Sequence, residues 1–163
     1  MDEQSYLQRA SECERSLYRV AKTILFSDAD CADAVQQTVF RGWVKRQQLR
    51  DPERFKPWLT RILINECRNI QRRDARQWRV TEAVGRKLET SAAQEPGPSD
   101  PSDAAALREA LSALPEDYRL PVTLHYLEGY SIREIAIMLR VPERRVTERM
   151  YRARRRLEEA LKL

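Results

Sequence analysis

The stretch from Tyr130 to Leu157, YSIREIAIMLRVPERRVTERMYRARRRL, decides the fold of the second half of the chain. Ser131 followed by Glu134 is a capping box, in which a hydroxyl and a carboxylate bind the free N–H groups at a helix start. The apolar residues that follow are spaced as one face of a short helix: Ile132, Ile135, Ala136 and Leu139. The pattern ends at Arg140, and Pro142 suits the start of a second helix because its missing N–H would be unpaired there.

The second predicted helix combines one apolar face with a strongly basic remainder. Its apolar positions are Val146, Met150, Ala153, Leu157 and Leu161. A short capped helix, a tight turn and a longer basic helix form the pattern of a helix-turn-helix, whose second helix enters the major groove of DNA. Taken alone, the basic helix could equally be a solvated amphipathic helix, but the capped partner helix and the turn favour DNA binding.

The composition of the chain points to a helical protein with a polyanionic partner. The 163 residues suit one domain or two small ones, and the net charge is +5 with a pI near 9.3. Much of the basicity comes from arginine, whose planar fork suits phosphates and base edges. With four glycines, many helix formers and no sustained alternation of period two, the sequence predicts an all-α fold with no sheet.

The sequence favours neither an independent enzyme nor a secreted or membrane protein. No apolar run reaches the roughly 18 residues of a membrane span and the N-terminus lacks a signal-peptide pattern, so we expect a cytoplasmic protein. Cys13, Cys31 and Cys67 lack the spacing of a metal site or a disulfide framework, and we expect them to be small buried apolar residues. His125 is expected to be a packed or partly exposed helix residue. The sequence predicts no catalytic residue, no metal site and no cofactor.

Three helices are predicted in the first half of the chain. The first runs from about Tyr6 to Phe26, and the second begins with the cap chemistry of Ser27 to Asp30 and runs to about Gln48. The apolar face of the first contains Leu7, Ala10, Leu17, Val20, Ala21, Ile24 and Leu25. The third begins at Pro57. Its apolar stripe contains Leu59, Ile62, Leu63, Cys67 and Ile70. Trp58 is either a core anchor or a stacking platform, and for a lone tryptophan the core interpretation is favoured.

A change of composition divides the chain into two predicted modules. Residues 1–84 form the first and residues 104–163 the second. Residues 85–103 are predicted to be a flexible acidic linker, because they are rich in Pro, Gly and Ser and bury little apolar surface. The second module begins with a helix near Ala104. Pro115 opens the next helix, which Pro121 is expected to kink and which ends at Gly129.

Three runs of sequence resemble one protein family. DADCADAVQQTVFRGW (Asp28 to Trp43) is similar to its D-x-E-D-x-x-Q-E-T-F-x-x-W run, and FKPWLTRILINECRNIQRR (Phe55 to Arg73) to F-x-x-W-L-x-R-I-x-x-N-x-x-x-D-x-x-R-R. The third run is LSALPEDYRLPVTLHYLEGYSIREIAIMLRVPERRVTERMYRARRRL (Leu111 to Leu157). With these runs in this order around an acidic linker, the chain resembles the sigma-70 family of RNA polymerase sigma factors, of the small, two-domain extracytoplasmic function (ECF) type.

The resemblance implies a sigma factor that directs promoter recognition, DNA melting and transcription initiation. Its first module, a promoter-melting helical bundle, would dock on the beta-prime clamp helices of the RNA polymerase core through Asp33, Gln36 and Gln37. It would then open the minus-10 promoter element, where the loop Arg50 to Lys56 and one helix face capture unstacked bases. The implied helix residues are Trp58, Arg61, Asn65, Arg68 and Arg72.

By the same resemblance, the second module would read the minus-35 element as duplex DNA and contact the beta flap of the polymerase. The implied residues are Arg144, Arg145, Thr147, Glu148, Arg149, Tyr151, Arg152 and Arg155. Arg149, Arg155 and the neighbouring Arg154 would lie nearer the phosphates or the helix flank. The linker would thread the polymerase cleft, and an anti-sigma partner is expected to hold the free protein.

The sequence departs from the family pattern at several positions. Gln37 replaces the usual Glu and Asn69 the usual Asp, which removes two negative charges. Arg140 replaces the common turn glycine, a change that costs about 1 kcal/mol if the position needs φ > 0. Glu143 to Arg149 departs from the common sequence at the start of the reader helix, so no particular promoter sequence carries over.

Two alternative functions stay open on the sequence alone. An autonomous helix-turn-helix regulator would dimerise through its N-terminal helices and bind a palindromic operator without polymerase. A degenerate relative would bind polymerase without melting promoters. Binding to core polymerase and a transcription assay separate these functions from that of a sigma factor.

Overall fold

Every regular element in the described parts of the chain is a helix. The computed structural model describes the backbone of residues 1–83 and 103–162, and the side chains of residues 1–78 and 104–162. Within these ranges the prediction of an all-α fold is confirmed. No helix described there is long and apolar enough to cross a lipid bilayer.

The chain divides into two compact units, Met1–Ala93 and Gln94–Leu163. The predicted linker, residues 85–103, lies outside the described residues except for Asp103, which begins the first helix of the second unit. The module boundaries at residues 84 and 104, and the linker itself, therefore stay predictions.

The described part of the first unit, residues 1–83, contains three α-helices: α1 Glu3–Ile24, α2 Asp28–Val44 and α3 Phe55–Ala83. α1 begins earlier than expected because the Asp2 carboxylate accepts a hydrogen bond from the Ser5 N–H at 2.8 Å and caps the helix. α2 ends at Val44 rather than near Gln48. The chain then passes through a 3₁₀ turn, Arg46–Gln48, whose tighter bonding turns it away from the helix.

α3 also begins before the predicted start at Pro57. The Asp51 carboxylate accepts a hydrogen bond from the Glu53 N–H at 3.0 Å and caps a second 3₁₀ turn, Pro52–Arg54, which leads directly into the helix at Phe55. Pro57 therefore lies within the first turn of α3, where its missing N–H is not needed.

The core of the first unit comes from all three helices. Leu17 of α1, Cys31 of α2 and Leu63 of α3 are fully buried. The expectation that the three cysteines are buried is confirmed. Burial raises the pKa of Cys31 to about 11, so its thiol stays protonated near neutral pH. Leu7, predicted for the core face, is 49% exposed because the helix turns Tyr6 inward instead.

α2 packs closely against its neighbours at Gly42. A side chain at this position would overlap the Tyr6 hydroxyl and come within 2.8 Å of Leu59 Cδ1. The same hydroxyl donates a hydrogen bond to the Val39 carbonyl at 2.6 Å, and burial raises the pKa of Tyr6 to about 12. The missing side chain of Gly42 therefore lets Tyr6 join α1 to α2.

Gly42→Ala should lower the free energy of unfolding by about 2 kcal/mol, because overpacking and loss of the Tyr6 hydrogen bond outweigh the better helix propensity of alanine. Tryptophan fluorescence during chemical denaturation measures this, since Trp43, Trp58 and Trp78 all lie in the first unit. The matched control is the same substitution in a Tyr6→Phe background, where the added methyl should cost less. If Gly42→Ala lowers the free energy of unfolding equally in the wild-type and Tyr6→Phe backgrounds, the added methyl group does not clash with the Tyr6 hydroxyl.

Within residues 103–162 the second unit contains four α-helices: α4 Asp103–Ala113, α5 Glu116–Val122, α6 Ile132–Leu139 and α7 Glu143–Leu161. α5 continues into a wider π turn, Thr123–Leu127, where the Glu128 N–H bonds to the carbonyl five residues back at 3.1 Å. This widening follows Pro121, the position of the predicted kink, which has no N–H to donate to the helix. His125 is half-buried as expected, with Nδ1 2.8 Å from the Tyr130 carbonyl oxygen.

The helix-turn-helix is present as predicted. Ser131 Oγ accepts a hydrogen bond from the Glu134 N–H (3.1 Å) and Glu134 Oε1 accepts one from the Ser131 N–H (3.0 Å), so the capping box is confirmed. Arg140 has φ 57° and ψ 45°, the left-handed conformation that ends α6. The buried residues of α7 are Val146, Met150 and Ala153. Leu157 and Leu161, predicted for the same stripe, are only half-buried because solvent reaches the last two turns of α7.

Arg140→Gly should raise the free energy of unfolding of the second unit by about 1 kcal/mol, since glycine carries no penalty for a left-handed backbone. Hydrogen exchange of the slowest amides in α6 and α7 reports this unit separately. The control is Arg133→Gly, which removes the same side chain within α6 and should lower the free energy by about 1 kcal/mol. If both substitutions destabilise the unit equally, backbone strain at Arg140 is not what limits its stability.

Candidate nucleic-acid interface

The outer side of α7 carries a basic surface. Its buried residues face the core, which leaves the predicted DNA-contacting side chains outside it. Exposed among them are Arg144, Arg145, Thr147, Glu148, Tyr151, Arg152 and Arg155, and Arg149 is half-buried. We call these eight residues the reader face. They share one helix, and none of them is part of the core.

Two pairs of side chains within the reader face orient its arginines. Glu148 Oε1 lies 3.0 Å from Arg152 Nη2, one helical turn away. Arg155 Nη1 donates a hydrogen bond to the Tyr151 hydroxyl at 3.3 Å. Both pairs are exposed to solvent, so they contribute little to folding, and their effect is to restrict where the guanidinium groups point.

The reader face has the chemistry to bind duplex DNA. An arginine fork can donate two hydrogen bonds to one guanine edge or to a phosphate. Glu148, the single acidic residue of the reader face, can accept a hydrogen bond from a cytosine amino group. In a helix-turn-helix, residues near the start of the second helix reach the base edges, and here Arg144 and Arg145 hold those positions.

The predicted minus-10 residues lie on one side of α3. They recur every three or four residues, and we call them the α3 face: Trp58, Arg61, Asn65, Arg68 and Arg72. Arg72 is exposed and the other four are half-buried. The Trp58 ring packs against Phe55 with 6.0 Å between centroids, but the side chain is not fully buried. Trp58 is therefore a partly buried residue packed on Phe55 rather than a fully buried core residue, and its role as a stacking platform stays a prediction.

Asn69, where the family pattern has Asp, orients one of these arginines. Its Oδ1 accepts a hydrogen bond from Arg72 Nη2 at 2.5 Å. An amide oxygen can therefore position the guanidinium here without adding a negative charge to the surface.

The α2–α3 loop, residues 45–54, lies beside the α3 face and carries a contact that the sequence did not predict. Arg9 of α1 donates a hydrogen bond from Nη2 to the Pro52 carbonyl at 2.6 Å. Its guanidinium also lies 4.8 Å from the centroid of the Phe55 ring. The partners are about forty residues apart in sequence, so no local pattern could have revealed the pair.

The predicted polymerase-docking residues lie on the outer side of α2. Asp33, Gln36 and Gln37 are exposed. Beside them Phe40 is 62% exposed, an apolar group that the sequence analysis did not single out. The surface therefore combines amides, one carboxylate and an aromatic ring, a mixture typical of protein interfaces.

Two family models match the chain. The model described as "Sigma-70 region 2" matches residues 10–77, which contain most of the first unit, and the model described as "Sigma-70, region 4" matches residues 104–157, which contain the helix-turn-helix. The two matches cover the α3 face and the reader face respectively.

Curated relatives carry sigma factor names. The chain is 29% identical over 156 residues to the probable RNA polymerase sigma factor RfaY of Xanthomonas campestris, a match covering 93% of this chain and 39% of that protein. It is 31% identical over 148 residues to the ECF RNA polymerase sigma factor SigM of Mycobacterium tuberculosis, covering 90% of this chain and 72% of that protein. The chain thus spans only about two fifths of the first of these relatives.

One solved structure has a very similar fold. It is that of the sigma factor RpoE of Bartonella quintana, in complex with the anti-sigma factor NepR. The TM-score is 0.82 at 27% sequence identity, and the match covers 98% of both chains.

Proposed function

The chain belongs to the sigma-70 family of RNA polymerase sigma factors, of the ECF type, and from this membership we propose that it is a dissociable specificity subunit that starts transcription. It catalyses no chemistry of its own, and it acts in the cytoplasm, where core polymerase works. The observation that carries the proposal is the pair of basic helix faces, one in each unit, each within a matched sigma-70 region.

In this proposal the outer side of α2 docks on the beta-prime clamp helices of core polymerase. Asp33, Gln36 and Gln37 are exposed and belong to one helix, which lets them meet a single partner surface. Gln37 makes this surface less acidic than the family pattern. Amides and the exposed ring of Phe40 supply hydrogen bonds and apolar contact in place of the missing charge.

The α3 face opens the minus-10 element by binding bases that have left the stack. A flipped base needs an aromatic surface, a polar group for its hydrogen-bonding edge and cations for the neighbouring phosphates. Trp58 supplies the ring and Asn65 a donor and an acceptor. Arg61, Arg68 and Arg72 then hold the strand.

The reader face binds the minus-35 element, which stays double-stranded. Arg144, Arg145 and Glu148 contact base edges, and the later arginines contact phosphates. The second unit also contacts the beta flap, and residues 85–103 link the two units through the polymerase cleft. Because duplex reading and base capture use separate units, a promoter must present both elements at a suitable spacing.

An anti-sigma partner regulates the free protein in this proposal. The support comes from the likeness to the Bartonella quintana sigma factor, which was solved with such a partner. A partner that covers the α2 surface or the reader face would block polymerase or promoter binding by direct competition.

Reconstitution with bacterial core polymerase tests the proposal. The protein should co-elute with core polymerase on size exclusion, and the holoenzyme should start transcripts at discrete sites on genomic DNA. A regulator of the autonomous class would instead bind a palindromic site without polymerase, and a degenerate relative would bind core without producing transcripts. Either result would remove the proposed function.

A further inference from the structure

The α2–α3 loop is held at both ends by aromatic packing. Tyr6 of α1 lies 5.4 Å from the Trp43 ring, just before the loop, and 5.7 Å from the Phe55 ring, just after it. Arg46, the second residue of the loop, stacks on Trp43 at 3.8 Å and donates a hydrogen bond to the Trp43 carbonyl at 2.9 Å. These contacts set where the loop leaves α2 and where it enters α3.

Arg9 adds a contact near the end of the loop. It lies one helical turn after Tyr6 on α1, so both side chains point to the same side of the helix. Its guanidinium donates to the Pro52 carbonyl and also lies over the Phe55 ring. A charged donor on a backbone carbonyl gives a stronger hydrogen bond than a neutral one, and a cation over a ring adds a second attraction.

We propose that Arg9 is a positioning residue for promoter opening, which holds the α2–α3 loop in the shape that receives an unstacked base beside the α3 face. This inference rests on the proposed function. Arg9 itself is half-buried and bonded to the loop, so it acts through the loop. A site that is ordered before its ligand arrives loses less conformational entropy on binding, which raises affinity without any new contact.

The proposal separates Arg9 from residues that only stabilise the first unit. A structural residue would affect unfolding, polymerase binding and DNA binding together. A positioning residue of the loop affects base capture, while α2 remains able to bind core polymerase and the reader face remains able to bind duplex DNA.

The test compares Arg9→Met with wild type in the reconstituted holoenzyme. Methionine keeps an unbranched apolar stem over Phe55 but removes the charge and the hydrogen-bond donors. The matched control is Arg15→Met, which removes the same charge from an exposed position on α1. The probe is a single-stranded oligonucleotide of the non-template minus-10 sequence, taken from a promoter mapped with wild-type holoenzyme.

Arg9→Met should lower the affinity for the oligonucleotide by about three- to tenfold, with affinity for core polymerase and for minus-35 duplex unchanged. Amide hydrogen exchange at residues 51–55 should become faster, and Arg9→Lys should recover most of the affinity because it restores a charged donor. Arg15→Met should behave as wild type in each measurement.

The inference would be overturned if Arg9→Met bound the oligonucleotide with wild-type affinity. It would also be overturned if the affinity of Arg9→Met for core polymerase fell by the same factor as its affinity for the oligonucleotide. If Arg9→Met does not fold, Arg9→Gln, which keeps a neutral donor, should show an intermediate loss, and wild-type affinity in that variant would overturn the inference as well. Failure of the proposed function looks different, because wild-type holoenzyme would then start no transcripts at all.

Discussion

Alanine at both Arg144 and Arg145 will weaken binding of the holoenzyme to a minus-35 duplex by roughly 100-fold, because each arginine fork that contacts a base edge contributes about 1–3 kcal/mol. Both residues are exposed at the start of α7, where the second helix of a helix-turn-helix reaches the bases. The core packing of α7 does not involve them, so the unit should fold as before. Fluorescence anisotropy with a labelled promoter fragment, at one fixed salt concentration, measures the change.

The control for this pair removes the same charge elsewhere in the second unit. Arg108 of α4 and Arg133 of α6 are both exposed, and alanine at both positions should change the affinity by less than about threefold, as expected for screened long-range charge. Equal losses in the two double variants would mean that net charge alone drives binding. The reader face would then be a general basic surface without base-reading residues.

Alanine at both Trp58 and Asn65 will slow open-complex formation by roughly 100-fold, because a stacking ring and an amide are each expected to contribute about 1–3 kcal/mol to holding a displaced base. Both side chains are half-buried on the α3 face, one beside the loop and the other two turns along the helix. The variant should keep its affinity for core polymerase and for minus-35 duplex. Stopped-flow fluorescence of 2-aminopurine in the minus-10 element measures the rate.

Trp78→Ala is the matched control for the ring. Trp78 lies on α3 and is 42% exposed, but it is not part of the α3 face. Trp78→Ala should leave the rate of open-complex formation within about twofold of the wild-type rate, as for most substitutions of exposed residues away from a site. If the double variant opens promoters at the wild-type rate, or fails to bind core polymerase, the α3 face is not the site of base capture.

The features that the sequence predicted well are those encoded by neighbouring residues. The capping box needs only Ser131 and Glu134, two residues three positions apart that also set the start of α6. Backbone strain was expected at Arg140 because an arginine there replaces the turn glycine of the family pattern. The φ of 57° at Arg140 agrees with that expectation. The fully buried stripe of α3 followed from helical spacing, with Leu59, Leu63 and Cys67 all at 0% exposure.

The features that the sequence did not predict depend on partners far apart in the chain. A glycine is required at position 42 of α2 because the Tyr6 hydroxyl occupies the volume that a side chain there would fill. Arg9 was missed because its hydrogen-bond acceptor, the Pro52 carbonyl, lies far from it in sequence. Helix ends were also missed where a cap lay just outside the periodic pattern, as at Asp2 and Asp51. Hydrophobic periodicity reports which face is buried, but it does not report which distant residue packs on that face.

The assignment of Trp58 shows the same limit at the candidate site. Helical spacing placed it beside the polar residues of the α3 face, whereas the general preference of a lone tryptophan favoured the core. The structure leaves it half-buried against Phe55. The location of the ring depends on how the α2–α3 loop enters α3, and that entry is set by long-range contacts from α1.

The most direct test of the account is permanganate footprinting of a promoter mapped with the reconstituted holoenzyme, since permanganate modifies thymines that have left the stack. With core polymerase and this protein together, thymines in and just after the minus-10 element should become reactive, while the minus-35 element stays unreactive. Core polymerase alone and the free protein alone should leave both elements unreactive. Reactivity without core polymerase, or a holoenzyme that protects the promoter without unstacking any thymine, would contradict the claim that the two basic faces act on different states of the promoter.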